Sequence, residues 1–369
     1  MKTVCHLTSA HDNNDSRIYY KECCSLNQAG LYHVYLIAPG DTCIRDGINI
    51  IGVDKSSDSR LLRMFKITKA VYKKALEVDA DIYHFHDPEL LPYGLKLKKK
   101  GKKVIFDSHE NYTMQIVEKK YIPKNLRKIV SKLYHAYETH VLKRIDAVIV
   151  PCSFEGKNIF DHRAKRSEII ANYPVLSAFY EKYQDNTRKS DYICYTGALS
   201  FNRGITYLIK AAYKANVKLV LAGEFSSRTY AEETMNLPEF SCVEYRGCVG
   251  QNEVFEIYSQ AFAGASIFLT RGQYGKVDTF GIKIFEFMAM GLPVIISSYP
   301  YACDVLKEYN YGICVPLDDI DAIAAAICYL KEHPDVAYKM GQEGRRAVLE
   351  KFNWSTEEKK LLALYTELI

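Results

Sequence analysis

What most constrains this chain is a repeated alternation. Short runs that are apolar at nearly every position, such as Ala147-Val148-Ile149-Val150, are followed by longer stretches of helical period. A strand without polar alternation fits a position covered on both faces, which a parallel sheet between helices provides. In the first half the expected strands are Thr3–Leu7, His33–Ala38, Ile48–Val53, Asp81–Phe85, Lys103–Asp107, Ala147–Val150 and Glu168–Ala171. Helical stretches Ser16–Ala29, Arg60–Leu76, Glu89–Lys100 and Lys124–Lys143 lie between them. The alternation pauses at Asn172-Tyr173-Pro174, and the polar stretch Glu181–Asp191 reads as a linker. It then restarts with strands Tyr192–Thr196, Lys218–Ala222, Cys242–Arg246, Ala265–Leu269, Pro293–Ile296 and Ile313–Val315. Its helices are Gly204–Ala215, Asn252–Ala261, Gly281–Met290 and Asp319–Lys331, and two more, Asp335–Phe352 and Ser355–Leu368, close the chain. The pattern predicts an α/β protein of two doubly wound, Rossmann-like domains. Ligands of such sheets bind beyond the carboxyl ends of the strands, so two facing domains would place a site in the cleft between them.

The 369 residues suffice for two domains of ordinary size. Charge divides them: residues 1–180 carry 29 Lys and Arg against 20 Asp and Glu, and residues 181–369 carry 20 against 24. A basic half suggests an anionic partner: a membrane surface, a phosphorylated substrate or nucleic acid. A lysine-rich solvated face is the plainer explanation. No apolar stretch is long enough to span a bilayer, and Met1–Leu7 lacks the apolar core of a secretory signal. The eleven cysteines show neither a C-x-x-C pair nor zinc-ligand spacing, which points to reduced thiols and a cytoplasmic protein.

The segment from Asp278-Thr279-Phe280-Gly281-Ile282-Lys283 through Glu286 to Gly291-Leu292-Pro293 is the most informative. Gly281 can open a helix with an unusual backbone angle. The first-turn N–H groups beyond it would then offer an anion site suited to a diphosphate. Asp278 in the preceding loop could face a sugar, while Glu286 in the helix faces a ribose diol. An ordinary amphipathic helix with a Gly-Pro stop would show the same apolar spacing.

Carboxylate-x7-Glu followed by F-M-A-x-G-x-P-V-I resembles the signature of the retaining nucleotide-sugar glycosyltransferases of family 4, whose GT-B architecture pairs two Rossmann-like domains. The resemblance covers nearly the whole chain. It includes Tyr195–Ile205, Leu219–Gly223, Tyr245–Val249, Asn172–Pro174, His84–Pro88, Phe106–Glu110 and Phe352–Trp354. It implies an acceptor domain at 1–175, a donor domain at 176–352 and a terminal helix, 353–369, crossing back. It also implies a donor site of Gly197, Arg203, Gly247, Cys248, Val249, Phe280, Gly281, Ile282, Lys283 and Glu286. His109, Asp278 and Glu286 fall at catalytic positions. The implied donor is a UDP- or GDP-sugar, with no cofactor and no metal. Transfer is expected on the front face, the leaving phosphate helping to take the acceptor proton, so no general base is nominated. Two departures stand out: Asp278 replaces the usual Glu, and Ala198 stands where relatives often carry a cation, leaving Arg203 as the main diphosphate ligand.

In the first half, the loop Ser9–Arg17 follows strand one. Asp15 can cap the next helix, and Arg17, at the unfavourable end of a helix dipole, is expected to face an anionic ligand. His84 and His86 are expected to alternate, with only His86 on the functional side. Asp15, Arg17 and His86 are thus the candidate acceptor ligands. The basic runs Lys96–Lys103 and Lys119–Lys132, the second interleaved with Tyr121, Ile122, Leu126, Ile129 and Leu133, suit an anionic bilayer. The function expected is sugar transfer to a lipid-linked or oligosaccharide acceptor in capsule, O-antigen or related surface-glycan synthesis, at the inner face of the membrane and without nucleic acid. A nucleotide-sugar epimerase and an inactive nucleotide-sugar-binding subunit are the alternatives.

Overall fold

The computed structural model describes residues 1–54, 60–119, 121–176, 191–269 and 275–368. The linker expected at Glu181–Asp191 falls, except for its last residue, outside them. The chain forms two units, Met1–Asn172 with Trp354–Ile369, and Tyr173–Asn353.

The first unit holds an eight-stranded sheet. Its strands are β1 (Lys2–Leu7), β2 (Tyr32–Pro39), β3 (Cys43–Arg45), β4 (Ile48–Val53), β5 (Ile82–Phe85), β6 (Lys103–Asp107), β7 (Ala147–Val150) and β8 (Ser167–Ile169), in the order β3-β4-β2-β1-β5-β6-β7-β8. Every pairing is parallel except β3–β4, an antiparallel edge hairpin the sequence pattern did not announce. Its helices include α1 (Cys24–Gln28), α2 (Arg60–Val78), α3 (Leu91–Lys99), α4 (Tyr112–Glu118) and α5 (Lys124–Leu142). One turn of π-helix, Ile18–Cys23, precedes α1 where a plain α-helix was expected. The terminal helix Trp354–Leu368 belongs to this unit: Trp354, Leu361, Leu364 and Tyr365 are buried in one cluster with Val4, Tyr19 and Leu36. Trp354 Nε1 donates to Ser25 Oγ at 2.9 Å, and Glu357 accepts the Ala171 amide at 2.8 Å.

The second unit is a six-stranded, all-parallel sheet. Its strands are β9 (Tyr192–Thr196), β10 (Lys218–Ala222), β11 (Val243–Tyr245), β12 (Ala263–Ser266), β13 (Val294–Ser297) and β14 (Gly312–Val315), ordered β11-β10-β9-β12-β13-β14. Numbered within the unit this is 3-2-1-4-5-6, the doubly wound order, and its direction reverses between β9 and β12. Its helices are α6 (Ile205–Lys214), α7 (Arg228–Met235), α8 (Gln251–Gln260), α9 (Ile282–Ala289), α10 (Pro300–Tyr309), α11 (Ile320–Glu332) and α12 (Pro334–Glu350). Apolar clusters cover both faces of the sheet, which is why its strands read as continuous hydrophobic runs.

Candidate functional site

In the second unit, the loops at the reversal point carry most of the expected donor residues. Three strand ends meet there through glycine. Gly197 donates its amide to Ala222 O at 2.8 Å and Gly223 donates to Gly247 O at 2.7 Å. Gly223 has φ +141°, and a Cβ there would stand 1.9 Å from Gly197 O. Only glycine allows this approach, and it leaves backbone where a ligand phosphate could lie close. Gly204, also at positive φ, seats the turn bearing Arg203 against Ile267 at the end of β12. The Leu269 amide closes that contact by donating to Asn202 O at 3.0 Å.

Lys283, in the first turn of α9, reaches back over this floor. Its ammonium lies 3.4 Å from the Tyr195 ring centroid and 3.4 Å from where a Gly197 Cβ would be. Burial, and then the neighbouring Arg203 charge, hold its pKa well below the usual lysine range. Two cations and the first-turn amides of α9 therefore converge where a diphosphate would neutralise them. Gly281 precedes the helix at φ −64° and ψ 147°, ordinary extended backbone, so the unusual angle expected of it is absent. The Gly281 position is open: a Cβ there would meet nothing within 4 Å.

Glu286 accepts a hydrogen bond from Tyr258 Oη at 3.3 Å, and Tyr258 is itself bonded to Thr196 Oγ1. This chain from α8 and β9 orients the carboxylate. Tyr258 and Tyr195 escaped the sequence reading because their spacing is simply that of core positions. Asp278 and Ile282 are half-buried beside the helix start, and Cys248 is exposed next to Gly247. One expectation needs correction. The Phe280 side chain is buried among Phe285, Tyr299, Tyr301 and Tyr311, so it is core, not a ligand contact. The Val249 side chain packs against the same cluster, which leaves its backbone for the base contact expected of Gly247–Val249.

The first unit has its own reversal point, between β1 and β5. Asp87, just past β5, accepts from Thr8 Oγ1 at 2.8 Å and from the Ser9 amide at 2.6 Å, tying down the loop after β1. Asp15 accepts from the amides of Arg17 and Ile18 and pairs with His11 at 3.1 Å, so it caps the π-turn. Arg17 does not face a ligand. Its buried guanidinium holds Asp107 through two bonds of 2.7 and 3.2 Å and donates to Ile170 O. The dipole reasoning failed because these partners are 90 and 153 residues distant. Burial alone would raise the Asp107 pKa, but Arg17 and His109 hold it well below the carboxylate range.

His84 and His86 do not alternate. Residues i and i+2 share a face of a strand, and their rings stack at 4.6 Å. His6 lies across from His84 in the β1–β5 register and joins them. All three imidazoles are buried, and burial lowers each pKa, that of His86 to about 4. His86 is thus an internal residue, not an acceptor ligand. His109 is the partly exposed member: its Nε2 lies 3.3 Å from both His86 Nδ1 and Asp107 Oδ2, and its ring faces His11 at 4.9 Å. Of the expected residues in this unit, it is the one with a ring edge available to a substrate hydroxyl.

Of the two basic runs, the first is engaged at three of its six lysines. Lys98 pairs with Asp146 at 2.7 Å, Lys102 with Asp79 at 2.8 Å, and Lys96 lies over Tyr93. The second is open: α5 exposes Leu126, Ile129, Val130 and Leu133 beside Lys124, Lys128 and Lys132. No helix among the described residues is long and apolar enough to cross a membrane.

Two family models match in succession: Glycosyltransferase Family 4 over residues 20–173, and Glycosyl transferases group 1 over residues 180–347. The chain belongs to the family 4 glycosyltransferases. The chain is 28% identical over 178 residues, 47% of its length, to an uncharacterized glycosyltransferase of Methanocaldococcus jannaschii, covering 44% of that protein. It is 30% identical over 119 residues to a GDP-mannose-dependent α-(1-6)-phosphatidylinositol monomannoside mannosyltransferase of Mycobacterium tuberculosis, with 32% of this chain and 31% of that protein covered. The chain thus spans less than half the length of these curated relatives. Among solved structures, sucrose-phosphate synthase of Thermosynechococcus elongatus superimposes with TM-score 0.74 at 18% identity, over 100% of this glycosyltransferase and 99% of that chain, which shows the shared GT-B fold.

Proposed function

We propose that this glycosyltransferase retains anomeric configuration and moves a hexosyl group from a nucleotide-diphosphate sugar to a lipid-linked or oligosaccharide acceptor in surface-glycan synthesis. The observation that carries the donor half is the convergence of Lys283, Arg203 and the α9 amides on the glycine floor Gly197–Gly223–Gly247. In this reading the diphosphate lies on that floor, Glu286 holds a ribose diol, and Asp278 meets the sugar. His109 supports the acceptor or the developing charge at the anomeric carbon. Transfer runs by positioning and charge stabilisation, without a metal at the diphosphate. The lipid-linked acceptor is supported by the exposed basic and apolar face of α5, and by the phosphatidylinositol-based acceptor in the name of the mycobacterial relative. The same face supports attachment at the inner face of the cell membrane.

A thermal-shift panel of UDP-, GDP- and ADP-sugars tests the donor half, and one nucleotide class should raise the melting temperature. Stabilisation by none of them would sink the reading. With the responding donor, Asp278→Ala and Glu286→Ala should lose turnover while the wild type retains it. Hydrolysis or epimerisation of the donor with no acceptor dependence would favour the epimerase.

A further inference from the structure

At the reversal point of the first unit, four side chains from three separated stretches point at one small volume. Glu22 Oε2 lies 3.8 Å from each of three imidazole nitrogens: His6 Nδ1, His84 Nδ1 and His86 Nε2. His6 Nδ1 and His86 Nε2 are 3.0 Å apart, and all four ligating atoms fall within 4.8 Å of one another. Each of these side chains is 0% exposed. Tetrahedral coordination at ordinary zinc–ligand bond lengths places ligand atoms about 3.3 Å apart. The separations present, from 3.0 Å to at most 4.8 Å, bracket that value, so side-chain rotation would be needed to close the shell.

Glu22 supplies the second, independent observation. Both its carboxylate oxygens are buried and accept no hydrogen bond. Arg17 approaches Oε1 at 3.1 Å, but its bonds go to Asp107 and Ile170. One guanidinium thus lies against two buried carboxylates, and the Glu22 oxygens are left without a hydrogen-bond donor in a dry interior, which is costly. A cation among the four groups would give Oε2 the partner it lacks.

We infer that His6, Glu22, His84 and His86 form a four-coordinate site for a divalent transition metal of the zinc class. Three imidazoles and one carboxylate suit that class and disfavour Mg2+ and Ca2+, which take oxygen-rich shells. The outer groups fit as well. His86 Nδ1, its other nitrogen, lies 3.4 Å from Asp107 Oδ2, the carboxylate–histidine–metal arrangement. His6 Nε2 lies 3.3 Å from the Tyr365 hydroxyl. Tyr365 also bonds His84 Nδ1 at 2.9 Å in the metal-free arrangement. On binding, His84 Nδ1 turns to the ion and the hydroxyl remains with His6. The π-turn makes the geometry available: Glu22 donates its amide to Arg17 O, five residues back, and this wide turn aims both side chains inward. The ion is structural. It joins β1, β5 and the π-turn behind His109, and it is separate from the donor site, so the inference does not rest on the proposed reaction.

The test uses the full chain, with no affinity tag, stripped with a chelator and exchanged into metal-free buffer. Addition of Zn2+ should load one ion per chain by mass spectrometry of the metal and raise the melting temperature. Co2+ should give the intense visible bands of a tetrahedral site, displaced by Zn2+. His33→Ala, which removes an exposed histidine, should load like the wild type, whereas Glu22→Gln should lose the ion and the bands. A folded wild type that binds no Zn2+ and gives no tetrahedral Co2+ spectrum overturns the inference, as does a Glu22→Gln protein that loads normally. If Glu22→Gln does not fold, the wild-type Co2+ spectrum decides.

Discussion

At the scale of single residues, charge placement makes the donor site testable by proton counting. Burial and then Arg203 depress the Lys283 pKa well below the usual lysine range. A bound diphosphate favours the charged form, so donor binding should take up protons. Calorimetry in buffers of different ionisation enthalpy measures this. In Lys283→Met the uptake should vanish and affinity fall by about 10- to 100-fold, the worth of a charge-assisted bond. In the first unit, His11 is raised above its ordinary value, chiefly by its hydrogen bond to Asp15. A raised histidine contributes stability that is full below its unfolded pKa near 6.5 and is lost as pH rises through the folded value. The stability gap between wild type and His11→Gln should therefore be widest near pH 6 and close towards about pH 8.5, as urea titrations would show. An equal gap at both pH values would mean that the pair carries no proton linkage.

At the scale of elements, the glycine contacts between strand ends decide whether the donor floor exists. Gly223→Ala would drive a methyl into the Gly197 carbonyl, and no side-chain rotation relieves a backbone clash. A loss of about 1–3 kcal/mol and of donor binding is expected. Gly30 also has positive φ but meets nothing within 4 Å, so Gly30→Ala should cost only about 1 kcal/mol, from backbone strain alone. Elements of this kind were legible because their signals are local. The parallel sheets follow from apolar runs such as Ala147–Val150, and the start of α9 from Gly281–Lys283 in one stretch. The histidine cluster was not legible. It needs the β1–β5 register, which pairs His6 with His84 across 78 positions, and a π-turn that no periodicity distinguishes from an α-helix. Phe280 misled for the reverse reason: it stands next to the residues expected to face the ligand while its own ring packs among four aromatic residues of the core. Helix α7 went unread because Arg228–Met235 buries only Thr234, too few residues to show a period.

At the scale of the whole molecule, the two units can be perturbed separately. Leu364 is fully buried in the terminal helix, within the cluster of the first unit. Leu364→Ala should cost about 2–5 kcal/mol. Hydrogen exchange should report the loss across residues 1–172 and spare 192–350, with nucleotide binding kept. Loss of protection spread evenly over both would show that they unfold as one body. The return of the terminal helix also bears on how the protein is made. The sheet of residues 1–172 is synthesised first, yet Trp354, Leu361, Leu364 and Tyr365, which cover one of its faces, are made only after the whole of the second unit. Throughout translation of that unit the face is open to chaperones and proteases, and it closes only once residues 354–368 have emerged. Nascent chains stalled before residue 354 should be cleaved in their first half, while the finished protein resists.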